Sequence, residues 1–591
     1  MAFLLCITFA FGGVAFAGCE NDTPSGNAYY TVVYDLNYEG AGSRAVSVQA
    51  GTPANEWCAN RTGYLLNGWY TDEACQNKFD FGQAINENCT LYAGWRENPG
   101  TVAVTFDFGY DGAEDVIIEV EKDTRIQDRY IPEHDRLGMN FTGWYADAGL
   151  TEEWDFSVDQ VNDNMTLYAG YEYDPSYVER DENGDIVYNN VNVQVWNAMH
   201  AFKVPNATLQ RLADDFNRLY EGQITVTITT DLTSQEGTML RVQDSPAMIQ
   251  TSNNYYSIAE VMAVAGIEFS NDDYYEGASR ECMVNGVMKQ LPVWGRPAYI
   301  VYNRSLMQKY GGGTLPSNYT QLSEVLQAAY AGESASNPQF RSILSNNGWS
   351  YSEAPSYAAF IQNDADYYVY EDGYYVNKWE GEGFNRAVEA MQITYDLLGA
   401  EGKCHGNIDY AGNADPVNAV AAGNALMALI TWPADNESRI AADSNLDVMP
   451  VSGLFTDNTG TKAMGIPVHT FGIGFYRYAT AVSPVQMCAG ALFADYVAKN
   501  AFEFVEHGMI PLGKDATQNA AYADSDDAVA NLLKKAAPPE NLYTIVGNLS
   551  IKSIINTTAA EGFILPILEG DGSNIVEEME RLRIEILRQA Y

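Results

Sequence analysis

Val191-Asn192-Val193-Gln194-Val195-Trp196-Asn197 alternates apolar and polar residues, the period-2 signature of a strand. Leu209, Leu212, Phe216 and Leu219 follow at helical spacing on one face, and Gly222 stops the run. Ile224-Thr225-Val226-Thr227-Ile228 then alternates again. A strand, a helix and a strand within about 40 residues predict a crossover unit, and hence a parallel sheet with covered faces.

The same texture runs to the C-terminus. Further helices are expected over 322–329, 388–398 and 485–498, the last with Ser483 as N-cap and Pro484 in the first helical position. Ile575, Met579, Leu582 and Ile586 form one stripe of a closing helix. Some 400 residues of α/β alternation exceed a single sheet, so residues 191–591 are expected to form two lobes.

Upstream the chain repeats itself. Leu66-Asn67-Gly68-Trp69-Tyr70-Thr71-Asp72 returns as Phe141-Thr142-Gly143-Trp144-Tyr145-Ala146-Asp147. Phe79-Asp80-Phe81 returns as Trp154-Asp155-Phe156, and Asn88-Cys89-Thr90-Leu91-Tyr92-Ala93-Gly94-Trp95 as Asn164-Met165-Thr166-Leu167-Tyr168-Ala169-Gly170-Tyr171. Each copy opens on an alternating strand, at Tyr30–Leu36 and at Thr101–Asp107. The two modules span 29–97 and 100–173. They resemble the Listeria/Bacteroides repeat, the internalin-type B-repeat, which implies a small β-grasp-like fold and an extracellular setting. A Trp-Tyr pair at fixed points of a small domain is expected in its core rather than on a sugar.

Cys75 and Cys89 align with Leu150 and Met165, which places both at apolar, buried positions, while Cys58 aligns with Glu133. A Cys75–Cys89 disulfide is left open. Residues 174–190 read as a polar linker. Asp181-Glu182-Asn183-Gly184-Asp185 within it lacks calcium-loop spacing and is expected to be a turn.

Residues 2–18 form an apolar run of the length of a secretory leader core, short of the roughly 20 residues that span a bilayer. It ends on Phe16-Ala17-Gly18-Cys19, followed by polar residues 20–28 that read as a tether. Small residues before a cysteine resemble the bacterial lipobox, with Phe16 where Leu is usual. The resemblance implies cleavage before Cys19, acylation of its thiol and attachment to the outer face of the cell membrane. No Lys or Arg precedes the run, so the start of translation is expected upstream of Met1.

The 78 acidic against 33 basic residues give a net charge of -45 over 591 residues, which would repel nucleic acid. Such a surface is expected to keep a crowded protein soluble. The eight cysteines and five histidines show no metal-ligand spacing, and no cofactor is expected.

Within 191–591 several segments, in order, resemble the family 1 extracellular solute-binding proteins, the sugar-capturing subunits of ABC importers. They are Leu291–Leu306, Pro316–Leu322, Ala422–Trp432, Phe471–Gly474 and Gly508–Ala516, with His469-Thr470 where the family often has Gly-Gly. The resemblance implies a type II periplasmic-binding-protein-like fold, a monomer whose two lobes close on a carbohydrate, and a membrane permease as partner. A sugar presents C–H faces and hydroxyls, so aromatic plates and polar partners are needed. The candidates are Trp196, Trp294, Tyr299, Trp349, Trp432 and Phe471, with Asn197, Thr251, Asn254 and Glu353 as hydrogen-bonding groups.

Neither a G-x-S-x-G elbow, an H-E-x-x-H helix nor a phosphate loop occurs, so a binding protein is expected rather than an enzyme. Two carboxylates suffice for a glycosidase, and so many acids leave that alternative open. A surface adhesin, or a binding protein for peptides or polyamines, is also left open.

Overall fold

The structure is a computed structural model. It describes residues 29–590 apart from 39–40, 99, 111–112, 114, 133, 200–204, 232–237, 246–253, 285, 347–355, 372–373, 410–414, 431–435, 478, 480–481 and 545–563.

Each repeat folds into four strands. Module 1 comprises β1 (Tyr29–Asp35), β2 (Ser43–Gln49), β3 (Tyr64–Tyr70) and β4 (Cys89–Glu97), in the order β2-β1-β4-β3 with β1 and β4 parallel. Module 2 repeats this with β5 (Thr101–Asp107), β6 (Val116–Glu121), β7 (Met139–Tyr145) and β8 (Met165–Tyr173). The repeated motif explains itself residue by residue. Gly68 and Gly143 sit at a β-bulge with φ of 124° and 146°, backbone that a side chain resists. Trp69 and Trp144 are buried, edge-on to Tyr34 at 4.7 Å and to Phe106 at 4.8 Å. Asp72 and Asp147 accept backbone N–H bonds from the turn that follows, Asp72 from Gln76 and Asn77, Asp147 from Thr151 and Glu152. The tryptophans are thus core residues.

The cysteines depart from expectation. Cys75 and Leu150 both occupy left-handed turn positions, with φ of 54° and 53°, and Leu150 is 41% exposed. What the repeat preserves there is a backbone angle, not burial. Cys58, Cys75 and Cys89 are all partly exposed and free, so no Cys75–Cys89 disulfide is present. Between module 2 and the α/β domain, the Asp181 carboxylate accepts the backbone N–H groups of Asn183 and Asp185, which makes the expected turn.

Lobe 1 is built on β9 (Val191–Asn197), β10 (Ile224–Thr229), β11 (Leu240–Asp244), β14 (Leu291–Pro297), β22 (Ile466–Phe475) and β23 (Ile510–Pro511), in the order β10-β9-β11-β22-β14-β23. β9 and β10 are parallel, and the helix Asn206–Leu219 crosses between them, as their alternation predicts. Leu209, Leu212 and Phe216 enter the core, but Leu219 is 66% exposed: Tyr220, four residues after Phe216, takes the next core-facing position, its ring 4.6 Å from that of Phe216. Between β11 and β14 lies a small hairpin, β12 (Met283–Val284) and β13 (Val287–Met288), which forms a two-stranded sheet of its own.

Lobe 2 carries β15 (Tyr299–Asn303), β16 (Arg341–Asn346), β19 (Asn407–Asp409), β20 (Ala425–Ile430) and β21 (Leu446–Pro450), in the order β19-β16-β20-β15-β21. Its own hairpin is β17 (Tyr368–Glu371) with β18 (Tyr374–Asn377). The expected helices appear as Tyr319–Glu333, Glu382–Leu398, Pro484–Lys499 and Ile575–Ala590. Ser483 and Gln486 form a reciprocal capping box, with Pro484 at the first position. Separate apolar cores underlie the two lobes. Among the described residues no helix is long and apolar enough to cross a membrane.

Candidate interlobe site

The chain passes from lobe 1 to lobe 2 through β14, Ala298 and β15, and returns through β21 and β22. The two passes are pinned together where Ala298 donates its N–H to Pro467 O at 2.8 Å. β24 (Leu542–Tyr543) runs parallel to the start of β22 and adds a further strand at this crossing. Ligands of α/β folds settle at such strand ends and domain boundaries.

Of the candidate residues, Trp432, Trp349, Thr251 and Glu353 lie outside the described residues, as does Cys19. Trp294 and Phe471 face each other across β14 and β22 inside the lobe 1 core, and the Trp294 ring stands 4.5 Å from that of Phe504. A ring with no exposed face cannot stack on a sugar in this conformation. Both belong to strands that are buried throughout. Tyr299 is fully buried at the crossing and donates its hydroxyl to Glu437 Oε1 at 2.9 Å. Burial, and then the Glu437 carboxylate, push its phenol well above the ordinary range. Asn197 is buried as well: its Nδ2 reaches Asn206 Oδ1 at 3.5 Å and its Oδ1 accepts the Met199 N–H at 3.2 Å, which brackets the start of the crossover.

Trp196 and Asn254 differ from these. Trp196 ends β9 on the face opposite Val195, outside the apolar core of the lobe. Its buried indole Nε1 has no hydrogen-bond partner, as is also true of Trp294, and neither has the buried Oδ1 of Asn254. At 4% exposure the Trp196 ring offers a ligand its nitrogen rather than an open face. Beside Trp196 lies Arg241, paired with it across β9 and β11, its guanidinium 5.7 Å from the indole and 3.4 Å from the ring of Tyr476. Asn254 joins the same neighbourhood through its carbonyl, which accepts the Arg477 N–H at 2.7 Å. Lobe 1 thus carries an aromatic, a cationic and an amide group with two unmet polar atoms among them, chemistry that suits a hydroxyl-rich ligand.

A second polar group stands at the crossing itself. The His469 Nε2 lies 3.7 Å from Asp244 Oδ2, and Arg296, cross-strand from His469, donates to His507 O at 3.3 Å. Arg241, Asp244, Arg296, Tyr476 and Glu437 were not foreseen. The signal that could have found Arg241 is a lone charge between Leu240 and Val242 in an apolar strand. Among the described residues no three His, Cys, Asp or Glu side chains gather as metal ligands.

With this geometry in place, the comparisons with known proteins divide along the same boundary. Residues 30–94 and 103–170 each match the Listeria-Bacteroides repeat domain. A protein of Evansella cellulosilytica that carries the name Gly-rich membrane protein is 35% identical over 167 residues, 27% of this chain and 19% of that protein. A second membrane protein of the same organism is 38% identical over 125 residues, 21% of this chain and 18% of its own length. The chain therefore spans about a fifth of the length of the curated relatives it matches. The solved structure of the sugar-binding protein MalE from Xanthomonas citri superposes with a TM-score of 0.50 at 12% identity, covering 68% of this chain and 97% of that one. The chain is two segments that match the Listeria-Bacteroides repeat, followed by a two-lobed α/β fold like that of MalE.

Proposed function

We propose that this chain is a solute-binding protein that captures a carbohydrate between its lobes for an ABC importer, held on the outer face of the membrane by acylation of Cys19. The observation that carries the reading is the pair of unmet polar atoms on lobe 1, Trp196 Nε1 and Asn254 Oδ1, the first beside Arg241, whose guanidinium also faces Tyr476. A polyol offers both donors and acceptors to such atoms. The MalE-like fold supports the same reading, because that protein is named as sugar-binding. Trp432, Trp349, Thr251 and Glu353, outside the described residues, remain proposed ligand contacts. Binding acts by selection: a ligand that touches both lobes favours the closed state by the difference in its affinity for the two.

The test is a tryptophan-fluorescence and calorimetric titration of the full chain with maltooligosaccharides, β-linked oligosaccharides, short peptides and polyamines. Saturable binding of one glycan class, weakened by Trp432→Ala, is expected. Binding of peptides or polyamines with no response to any glycan overturns the sugar reading. Reducing ends appearing during incubation would instead assign a glycosidase.

A further inference from the structure

Module 1 touches both lobes, and it does so through two hairpins that are not strands of their own lobe's sheet. On the lobe 1 side, Val284 in the β12–β13 hairpin forms a buried apolar cluster with Val33 and Ala45. Those two residues pair across β1 and β2. They lie on the face opposite the module's own core, because their neighbours Val32 and Tyr34 point inward. The hairpin is rooted in lobe 1 through the buried Cys282 and Met288. On the lobe 2 side, β18 pairs antiparallel with the free edge of β2 at Tyr375 and Ser43, extending the module's sheet to six strands in the order β17-β18-β2-β1-β4-β3. That hairpin springs from lobe 2: Tyr367 before it and Trp379 after it pack edge-on at 4.7 Å in the lobe 2 core, and Lys378 N–H bonds to Tyr367 O.

Module 2 supplies an internal control. Its residues equivalent to Val33 and Ala45 are Thr105 and Ile117, paired in the same register, and Ile117 is 40% exposed. Its sheet stays at four strands. One copy of the same fold is therefore closed over on the outer face and edge by the α/β domain, while the other keeps that face open. The sequence differs accordingly, apolar and small in module 1 against a hydroxyl and an uncovered isoleucine in module 2.

We infer that module 1 is an intramolecular strap across the hinge, joined to lobe 1 by Val284 and to lobe 2 by the β18–β2 pairing, so that it biases how far the lobes separate. Hinge motion moves the two hairpins relative to each other, and a rigid sheet bound to both resists that motion until one attachment opens. The direct attachments are a three-residue apolar cluster and one edge pairing. Module 2 adds an indirect one on the lobe 1 side, through Tyr130 to Leu66 O of module 1 and through Leu137 and Tyr110 to lobe 1. All are small next to a lobe core, which suits a bias on an equilibrium rather than a lock. The strap depends on the two-lobed fold alone and not on the nature of the ligand.

The arrangement is in series, and that gives the test its signature. Spin labels are placed through genetically encoded side chains at the exposed Asp214 in lobe 1 and Glu324 in lobe 2, leaving the native cysteines untouched. Interlobe distances are then measured in the full chain without any ligand. Val284→Asp puts a charge into the apolar cluster, and Tyr375→Pro removes a ladder donor. Tyr375→Pro, which cuts the lobe 2 end, is expected to add a second interlobe population. Val284→Asp, which leaves the lobe 1 contacts made through module 2, is expected to add a smaller one. The double variant is expected to match Tyr375→Pro, since a strap cut at its lobe 2 end is already released. Val33→Thr, which copies module 2, repeats the first arm if Val284→Asp lowers the folded fraction by circular dichroism. Distances unchanged from the parent in all variants, or shifts that add in the double variant, overturn the strap. A failure to bind any sugar would leave this result untouched.

Discussion

The ring of Tyr70 lies against the Cα of Gly94, so close that a Cβ on that glycine would run into the ring edge. Tyr145 stands in the same relation to Gly170. This close approach explains why Gly recurs in both copies on the central strand opposite the Trp-Tyr pair. Gly94→Ala is expected to destabilise module 1 by about 1–3 kcal/mol, the range for overpacking. Gly170→Ala is expected to cost less, because Tyr145 is only half-buried and can swing outward, whereas Tyr70 is buried. Thermal unfolding of the two variants, followed by near-ultraviolet circular dichroism, checks the order; equal losses would show that the rings do not set the cost.

Asp447 ties lobe 2 together near its sheet edge. Its carboxylate meets Lys535 Nζ at 2.6 Å, Arg304 Nη2 at 2.9 Å and the Tyr302 hydroxyl at 3.0 Å. Burial alone would raise its pKa. The Lys535 ammonium, the Val448 N–H and the Tyr302 hydroxyl outweigh it and hold the carboxyl below its ordinary value. A depressed carboxyl contributes stability that is complete above its ordinary pKa and lost as the pH falls through the folded one. Asp447→Ala is expected to lower stability at pH 7 by about 1–3 kcal/mol. The gap to the parent should narrow toward pH 3, as measured by urea unfolding across pH. A gap independent of pH would assign the loss to packing.

Much of the architecture could be read from particular residues. The alternation of Val191, Val193 and Val195, then of Ile224, Val226 and Ile228, specifies strands because one face of each is buried and the other polar. Trp69 and Trp144 declare themselves core residues by recurring with the same neighbours. Trp294 and Phe471 could not be placed in the same way, since β14 and β22 are buried on both faces and leave no polar side to mark the cleft. Cys75 misleads for a different reason: an aligned position can preserve a left-handed backbone angle while its side chain stays partly in solvent. The docking of module 1 on both lobes joins residues hundreds of positions apart through one valine and one edge pairing, which no local pattern encodes.

Lys289 sits beside β13 at the junction of module 1 and lobe 1. Burial pushes its ammonium down to about 8, with Arg477 and Arg44 adding to the fall and Glu260 opposing it. Arg44 belongs to module 1, and Glu260 also faces the Tyr110 hydroxyl of module 2 at 3.5 Å. For a base whose folded pKa is depressed, the unfolded chain holds more protons between the two values. Stability therefore rises with pH from about 8 toward the ordinary lysine value of 10.5. Below that window the full penalty is present. Lys289→Met is expected to raise the melting temperature at pH 7 and to flatten its rise between pH 8 and 10. A variant that melts lower at pH 7 would show that the pairing with Glu260 outweighs the burial.

Trp196 shares an unmet indole nitrogen with Trp144 and Trp294 but, unlike them, lies outside the apolar core of its domain, so its contact with a ligand can be tested directly. Phe in its place keeps most of the apolar ring but removes Nε1, which has no partner to lose in the unliganded protein. Trp196→Phe is therefore expected to leave unliganded stability unchanged apart from small repacking effects. If a sugar hydroxyl accepts from Nε1, the lost bond is worth about 1 kcal/mol, or close to a fivefold rise in Kd. Asn254→Ala should act in the same direction on the acceptor side, again with little change in unliganded melting. Calorimetry with the tightest glycan of the panel measures both. Unaltered Kd values in the two variants would remove these two groups of lobe 1 from the binding site and leave Trp432 and the other proposed contacts to carry it.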